Sequence, residues 1–116
     1  MNNRLLGANG EEIAEKFLQK CGYEIIEKNV HISTKCEIDI IAKYKGKIIF
    51  VEVKTRMSDN FGKPFEAITK NKYENMKLGA IEYSKSHNIK DFRIDAIGIT
   101  LKPEIKIEHL KNVTLF

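Results

Sequence analysis

The stretch from Cys36 to Thr55 constrains the fold more than any other part of the chain. It reads Cys-Glu-Ile-Asp-Ile-Ile-Ala-Lys-Tyr-Lys-Gly-Lys-Ile-Ile-Phe-Val-Glu-Val-Lys-Thr, two β-branched runs on either side of Lys45-Gly46. That pattern predicts a hairpin of two antiparallel strands. With Lys45 and Gly46 as the loop, opposed residues have numbers that sum to a constant, so Asp39 faces Glu52 and Glu37 faces Lys54. Side chains alternate with a period of two, and these four therefore share one face. Ile38, Ile40 and Ala42 against Val53, Val51 and Ile49 make the other face, which is wholly apolar and must be buried.

The polar face is costly to assemble. Directly opposed Cβ atoms lie about 5 Å apart, and two carboxylates at that distance repel by roughly 3 kcal/mol at an effective dielectric near 20. A divalent cation held by Asp39 and Glu52 would offset the repulsion, with Lys54 beside it to steady an attacking water or a developing charge. The competing reading is an exposed cross-strand ion pair between Glu37 and Lys54 on a solvated face, contributing about 0.2–1 kcal/mol. Glu-x-Lys by itself decides nothing. A second copy, Glu104-Ile-Lys106, follows Asp95, but Pro103 precedes it and it lacks the Ile-Ile-Phe-Val flank, so we treat it as a decoy.

At 116 residues the chain has room for one domain, 1–116, and not for a second. Its 42% hydrophobic and 31% charged residues are those of a soluble globular protein. No apolar run approaches the ~20 residues of a membrane span, and the N-terminal segment lacks the apolar region of a signal peptide. The expected location is cytoplasmic, with no membrane partner. Cys21 and Cys36 show neither metal-ligand spacing nor a disulfide framework and read as reduced thiols. His31, His87 and His109 are scattered, without local metal spacing. A net charge of +4 suits a polyanionic partner without demonstrating one. Lys54, Arg56, Lys63, Lys70 and Lys72 fall in one short stretch beside the proposed carboxylates, where a phosphate backbone would lie if the site cuts nucleic acid. The alternative for these cations is a solvated loop and helix face.

Taken in order, residues 4–21 read as a helix whose apolar stripe is Ile13, Ala14, Phe17, Leu18 and Cys21, stopped by Gly22. Glu11 lies at the edge of that stripe, near enough to reach the sheet. Gly7, Gly10 and Ala14 form a small-residue strip that permits close approach. A solvated carboxylate near a helix start is the alternative for Glu11. Tyr23–Val30 is a first strand, with Ile26 on the face opposite Tyr23 and Ile25. Residues 56–64 carry every loop former. A second helix should begin near Pro64 or Thr69 and run to about His87, burying Tyr73, Met76, Ala80 and Tyr83. Phe92–Leu101 and Ile105–Leu110 complete the strands, joined by a turn at Lys102-Pro103. Asp95 pairs with Arg93 or a nearby lysine in this reading and has no chemical role.

Helix, three strands, helix, then strands, with Asp on the second strand and Glu-x-Lys on the third, resembles the nuclease core written PD-(D/E)xK. Most of the chain also resembles one small branch of it, the YraN-type uncharacterised protein family. The matching pieces are Gly7-x-x-Gly10-Glu11-x-x-Ala14, Gly22-Tyr23, Glu37-Ile38-Asp39, Phe50-Val51-Glu52-Val53-Lys54-Thr55-Arg56, Lys72 with Ala80, and Arg93-x-Asp95. The family usually has Gly before Glu-Ile-Asp; here Cys36 stands there. The resemblance implies a restriction-endonuclease-like α/β core, a mixed central sheet of about five strands flanked by two long helices. It implies that Glu11, Asp39 and Glu52 surround a Mg²⁺ or Mn²⁺ ion with Lys54 near the attacking water, and it leaves Glu37 as an outer-shell or second-metal candidate. It also points to structure-specific relatives that resolve four-way DNA junctions as homodimers.

The expectation is therefore a metal-dependent nuclease acting on DNA. Asp39, Glu52 and Lys54 carry the chemistry, Glu11 joins the two carboxylates as a metal ligand, and Arg56, Lys63, Lys70 and Lys72 contact nucleic acid. The runner-up is a noncatalytic nucleic-acid-binding protein on the same fold, and a third reading is an interaction domain with a solvated charged face.

Overall fold

The computed structural model describes residues 3–113 apart from Lys35 and Phe61, and side chains from Asn9 onward. Helix α1 (Asn3–Lys20) is followed by strands β1 (Glu24–Ser33), β2 (Cys36–Tyr44) and β3 (Lys47–Arg56). A short 3₁₀ turn (Pro64–Ala67) leads to helix α2 (Lys70–Ser86), and the chain ends with β4 (Phe92–Thr100) and β5 (Lys106–Leu110). The five strands lie in the order β1-β2-β3-β4-β5. Only β3 and β4 run parallel. A parallel pair needs a long crossover, and α2 supplies it.

The expected hairpin forms in the expected register. Ile40 pairs with Val51, Ile41 with Phe50, Ala42 with Ile49 and Tyr44 with Lys47. Lys45 (φ 49°) and Gly46 (φ 80°) both adopt left-handed backbone, as a two-residue turn matching the strand twist requires. Alternation then sends the two faces to different helices. Ile40, Ala42, Ile49, Val51 and Val53 pack with Ala14 and Leu18 of α1. Ile41 and Phe50 pack with Met76 and Ala80 of α2. The sheet is thus covered on both sides, which is what near-continuous apolar strands demand.

The α1 approach is close because Gly10 has no side chain: a Cβ there would overlap Thr55 on β3. The surroundings of Gly7, the other glycine of the expected strip, lie outside the described side chains. On α2 the buried stripe contains Tyr73, Met76 and Ala80 as expected, with Gly79 and Ser84 added and Tyr83 half-buried. Cys36 Sγ packs directly on Gly79.

Several boundaries differ from expectation. Cys21 falls in the turn after α1 and is exposed, not part of the stripe, because the helix closes there: Gly22 N–H, at φ 92°, donates to the Gln19 carbonyl and Tyr23 N–H to that of Leu18. β1 runs on to Ser33, since pairing with β2 continues to Cys36. α2 starts at Lys70: Ile68 and Thr69 are extended and separate it from the 3₁₀ turn, and the Thr69 hydroxyl accepts the Lys72 N–H as an N-cap. Ile38 packs with the α2 cluster, not with Ile40 and Ala42.

Candidate metal centre

Pairing between β2 and β3 stops at Ile40–Val51, although β3 remains paired with β4 as far as Arg56. Just beyond the last pair, Val53 N–H, two residues past Val51, donates to Asp39 Oδ2, one residue before Ile40, at 2.8 Å. A side chain has taken the donor that a neighbouring strand would otherwise use, so the backbone amide is satisfied while the ladder ends. Beyond that point β2 stays paired with β1, Ile38 opposite Val30, and both residues belong to the cluster packed with α2.

Asp39 and Glu52 come together just past the last ladder pair. Asp39 is in hydrogen-bonding contact with Glu52, and Glu52 is 2% exposed. Burial, the hydrogen-bonding contact with Glu52 and the Glu52 charge push the Asp39 carboxyl up to about 9, against the opposing pull of the Val53 amide. Near neutral pH Asp39 therefore carries a proton. The Lys72 ammonium of α2 lies 2.9 Å from Glu52 Oε2. That oxygen nevertheless accepts no hydrogen bond of good geometry. A buried carboxylate oxygen left without one is unusual and is the kind of acceptor a hard cation satisfies.

Lys54 stands beside the pair. Burial, then contact with Lys72, holds its ammonium below the usual lysine range. For Lys72 burial also works downward, but contact with Lys54 and the Glu52 and Asp39 carboxylates outweigh it, and its value rises. Two carboxyls and two amines from β2, β3 and α2 are thus drawn into one cluster.

Glu11 comes near this cluster without joining it. It is half-buried, and burial, followed by the charges of Glu37 and Glu52, raises its pKa. Lys28 and the Asn29 side chain act on it in the opposite direction. It lines a separate surface cleft with Glu12, Glu15, Lys16, Gln19, Lys28 and Asn29. Among the described residues no three His, Cys, Asp or Glu side chains gather closely enough to hold an ion together. Glu37 does not oppose Lys54. With the β2–β3 ladder ended, it pairs across β1 with His31, its carboxylate 3.9 Å from His31 Nε2, and stays exposed.

Beside Asp39 opens a groove of about 400 Å³ lined by His31, Thr34, Glu37, Asn71, Lys72 and Asn75. Lys72 is thus a member of the cluster as well as of the groove wall. Arg56, Lys63 and Lys70 do not line this groove. Arg56 is half-buried at the end of β3, Lys63 is exposed before the 3₁₀ turn, and Lys70 is exposed at the start of α2. The two asparagines were missed in the sequence reading. Their signal was the spacing from Lys72, one residue before it and three after, around the first turn of a helix capped by Thr69.

Asp95 is fully buried elsewhere. It accepts from Arg93 Nε at 2.9 Å and from Asn112 N–H at 2.9 Å, and its Oδ2 lies 2.7 Å from His109 Nε2. Arg93 also donates to the Tyr23 hydroxyl. Burial raises the Asp95 pKa, but His109, Arg93 and the Asn112 amide overcome it, and the net direction is down. The expected Arg93 partner is there, and His109 is a satisfied core histidine. The cluster fastens β5 and the start of β1 to β4, and it accounts for Asp95 without any chemistry.

A model of the uncharacterised protein family UPF0102 matches residues 10–99. The chain is 44% identical over 121 aligned residues to a UPF0102 protein of Caldanaerobacter subterraneus, covering 97% of this chain and 96% of the relative. It is 42% identical to one from Syntrophomonas wolfei, covering 95% and 97%. A Rhodococcus opacus relative is 36% identical, covering 96% and 97%. Among the described residues no helix is long and apolar enough to cross a membrane.

Proposed function

We propose that this chain, which belongs to the uncharacterised protein family UPF0102, the YraN-type family, is a divalent-metal-dependent nuclease with a restriction-endonuclease-like core acting on DNA. The observation that carries the reading is the end of the β2–β3 ladder. There Asp39 and Glu52 meet, Lys54 stands beside them, and Glu52 is almost completely buried with the Lys72 ammonium against one of its oxygens.

The donor set suits Mg²⁺ or Mn²⁺. Magnesium keeps several waters and is commonly held by one or two carboxylates together with substrate phosphate, so Asp39 and Glu52 suffice as protein ligands. Glu11 is then a candidate for an outer position, within electrostatic reach of Glu52. When bound, such an ion supplies Lewis acidity at a phosphoryl oxygen and a water of lowered pKa. Lys54, with its depressed pKa and its place beside Glu52, orients the attacking water or stabilises the charge that develops on the phosphoryl oxygens. Asn71 and Asn75 offer neutral donors to a strand lying in the groove, and Arg56, Lys63 and Lys70 offer charge outside it. Four-way junctions are included among the substrates because the motif resemblance points to them, and a homodimer is the arrangement it implies.

A second reading has one observation in its favour. Lys72 already neutralises Glu52, and no three-ligand group is gathered, as a noncatalytic nucleic-acid-binding protein on this scaffold would also show. One panel separates the two: linear duplex, single-stranded, flap and four-way-junction DNA with Mg²⁺ or Mn²⁺, wild type against Asp39→Ala. Ion-dependent cleavage lost in Asp39→Ala supports the nuclease. Cleavage that survives the substitution removes this mechanism, and binding without cleavage on every substrate favours the second reading.

A further inference from the structure

Lys72 is an odd occupant of a metal centre. Its side chain is 42% exposed, yet its ammonium sits 2.9 Å from a carboxylate that is almost completely buried. Lys54 is beside it. The cluster holds two carboxyls and two ammonium groups, so even with both carboxyls ionised it has no negative charge to spare before any ion arrives. A divalent cation on Asp39 and Glu52 would leave a surplus of positive charge in a partly desolvated space, where like charges repel strongly. One ammonium must then leave. Lys54 projects from β3, which is paired with β4 along this whole segment. Lys72 lies in the first turn of α2, lines the open groove and has solvent on one side.

We propose that Lys72 is an internal counter-ion that competes with the divalent cation for Glu52, neutralising the carboxylate in the ion-free protein and swinging into the groove when an ion binds. The inference rests on the ion-dependent reading of the site given above and adds how loading of that site is regulated. A lysine that simply covered the site would contribute packing and charge to both states equally. A competing counter-ion stabilises only the ion-free state, so removing it must tighten ion binding, by linkage between two ligands that cannot both occupy Glu52.

The test is Mn²⁺ binding to the full chain, followed by calorimetry and by the manganese electron paramagnetic resonance signal, without any substrate. Lys72→Gln keeps a hydrogen-bond donor and removes the charge; Lys72→Arg keeps the charge. Lys72→Gln should bind Mn²⁺ roughly five- to tenfold more tightly than wild type, within the usual range of coupling between two ligands. Its thermal midpoint should be lower than wild type in chelator and recover on adding Mn²⁺. Lys72→Arg should stay within about twofold of wild type because the competing charge remains. Equal or weaker Mn²⁺ binding by Lys72→Gln, with wild type binding measurably, overturns the competition and leaves the ion-dependent reading standing. Absence of Mn²⁺ binding from all three proteins overturns both.

Discussion

Asp39→Asn separates the two demands on the candidate site, because it removes the charge an ion needs while keeping the shape that the ion-free fold uses. In the ion-free protein Asp39 is raised from 3.8 to about 9, accepts from Val53 N–H and contacts Glu52. An asparagine can make the same two contacts with its carbonyl oxygen and its amide. In the unfolded chain, by contrast, Asp39 ionises at its ordinary value, and near pH 7 that ionisation favours the unfolded state by at most about 4 kcal/mol, some three pH units at 1.36 kcal/mol each. Asp39 keeps some solvent access, which screens the effect, so the expected gain in ion-free stability on substitution is about 2 kcal/mol. The sign follows from proton linkage: the folded state holds the extra proton, so this contribution is fully present below the unfolded value and is lost as pH rises through the folded one. Wild type should therefore lose stability between about pH 4 and pH 9, with a slope no steeper than about 1.4 kcal/mol per pH unit, and Asp39→Asn should flatten that slope. The assay is urea denaturation in chelator at several pH values, repeated with Mg²⁺. With ion near a hundred times its dissociation constant, wild type should gain about 2.7 kcal/mol and the variant nothing. If Asp39→Asn is destabilised near neutral pH and keeps the wild-type pH slope, Asp39 is ionised in the fold and the account of this carboxyl pair is wrong.

On the proposed nuclease reading, Glu52→Gln and Lys54→Ala should each lower cleavage by about 10²-fold or more while the far-ultraviolet circular dichroism stays native, since each removes a preorganised charge from the candidate site; single-turnover kinetics on the preferred DNA would measure it. Asp95→Asn should destabilise the fold by about 3 kcal/mol by depriving Arg93 of its buried carboxylate. Because folding lowers the Asp95 pKa, the charge contributes stability above its unfolded value and loses it as pH falls through the folded value, so the variant's denaturation midpoint should depend less on pH in the acid range. Gly10→Ala should cost about 1–3 kcal/mol in urea by forcing α1 away from Thr55, and Thr55→Gly in the same chain should recover most of it.

What could be read in advance was whatever depends on local period. Lys45-Gly46 fixes the hairpin turn, the turn fixes the register, and extending that register one step past its last pair, Ile40–Val51, brings Asp39 to Glu52. The stripes of α1 and α2 follow in the same way from spacing, except at Cys21, where the bonds from Gly22 and Tyr23 close the helix. Glu37 failed for a different reason. The count assumes that pairing runs the length of both strands, and nothing in a period of two says where a ladder ends. Lys72 shares the buried side of α2 through Met76 and Gly79, so spacing allows it to point back towards the hairpin, but its distance from Glu52 depends on how a helix lies across a sheet. Residues far apart in the chain met there through packing, to which periodicity is blind.

The end of the ladder also explains why a catalytic reading and an ordinary fold are compatible in this chain. A central sheet cannot tolerate a carboxylate among its backbone bonds unless the carboxylate supplies a bond itself, and Asp39 does so by accepting from Val53 N–H. Once it has, β2 is free to leave β3, and the space between them is lined by strand side chains held from both sides, by β1 on one flank and β4 on the other. A rigid frame is what preorganised charge requires. The same carboxyl is therefore a structural acceptor and a candidate ligand. The proton it carries without an ion is what lets two acids share that frame, and an ion that took Asp39 and Glu52 would have to displace that proton together with Lys72. Ion binding should then strengthen with pH as Asp39 ionises, up to about tenfold per pH unit below its folded value. Mn²⁺ affinity that is flat between about pH 6 and pH 8 would mean that the ion binds without taking Asp39, and the two-carboxylate centre would have to be abandoned.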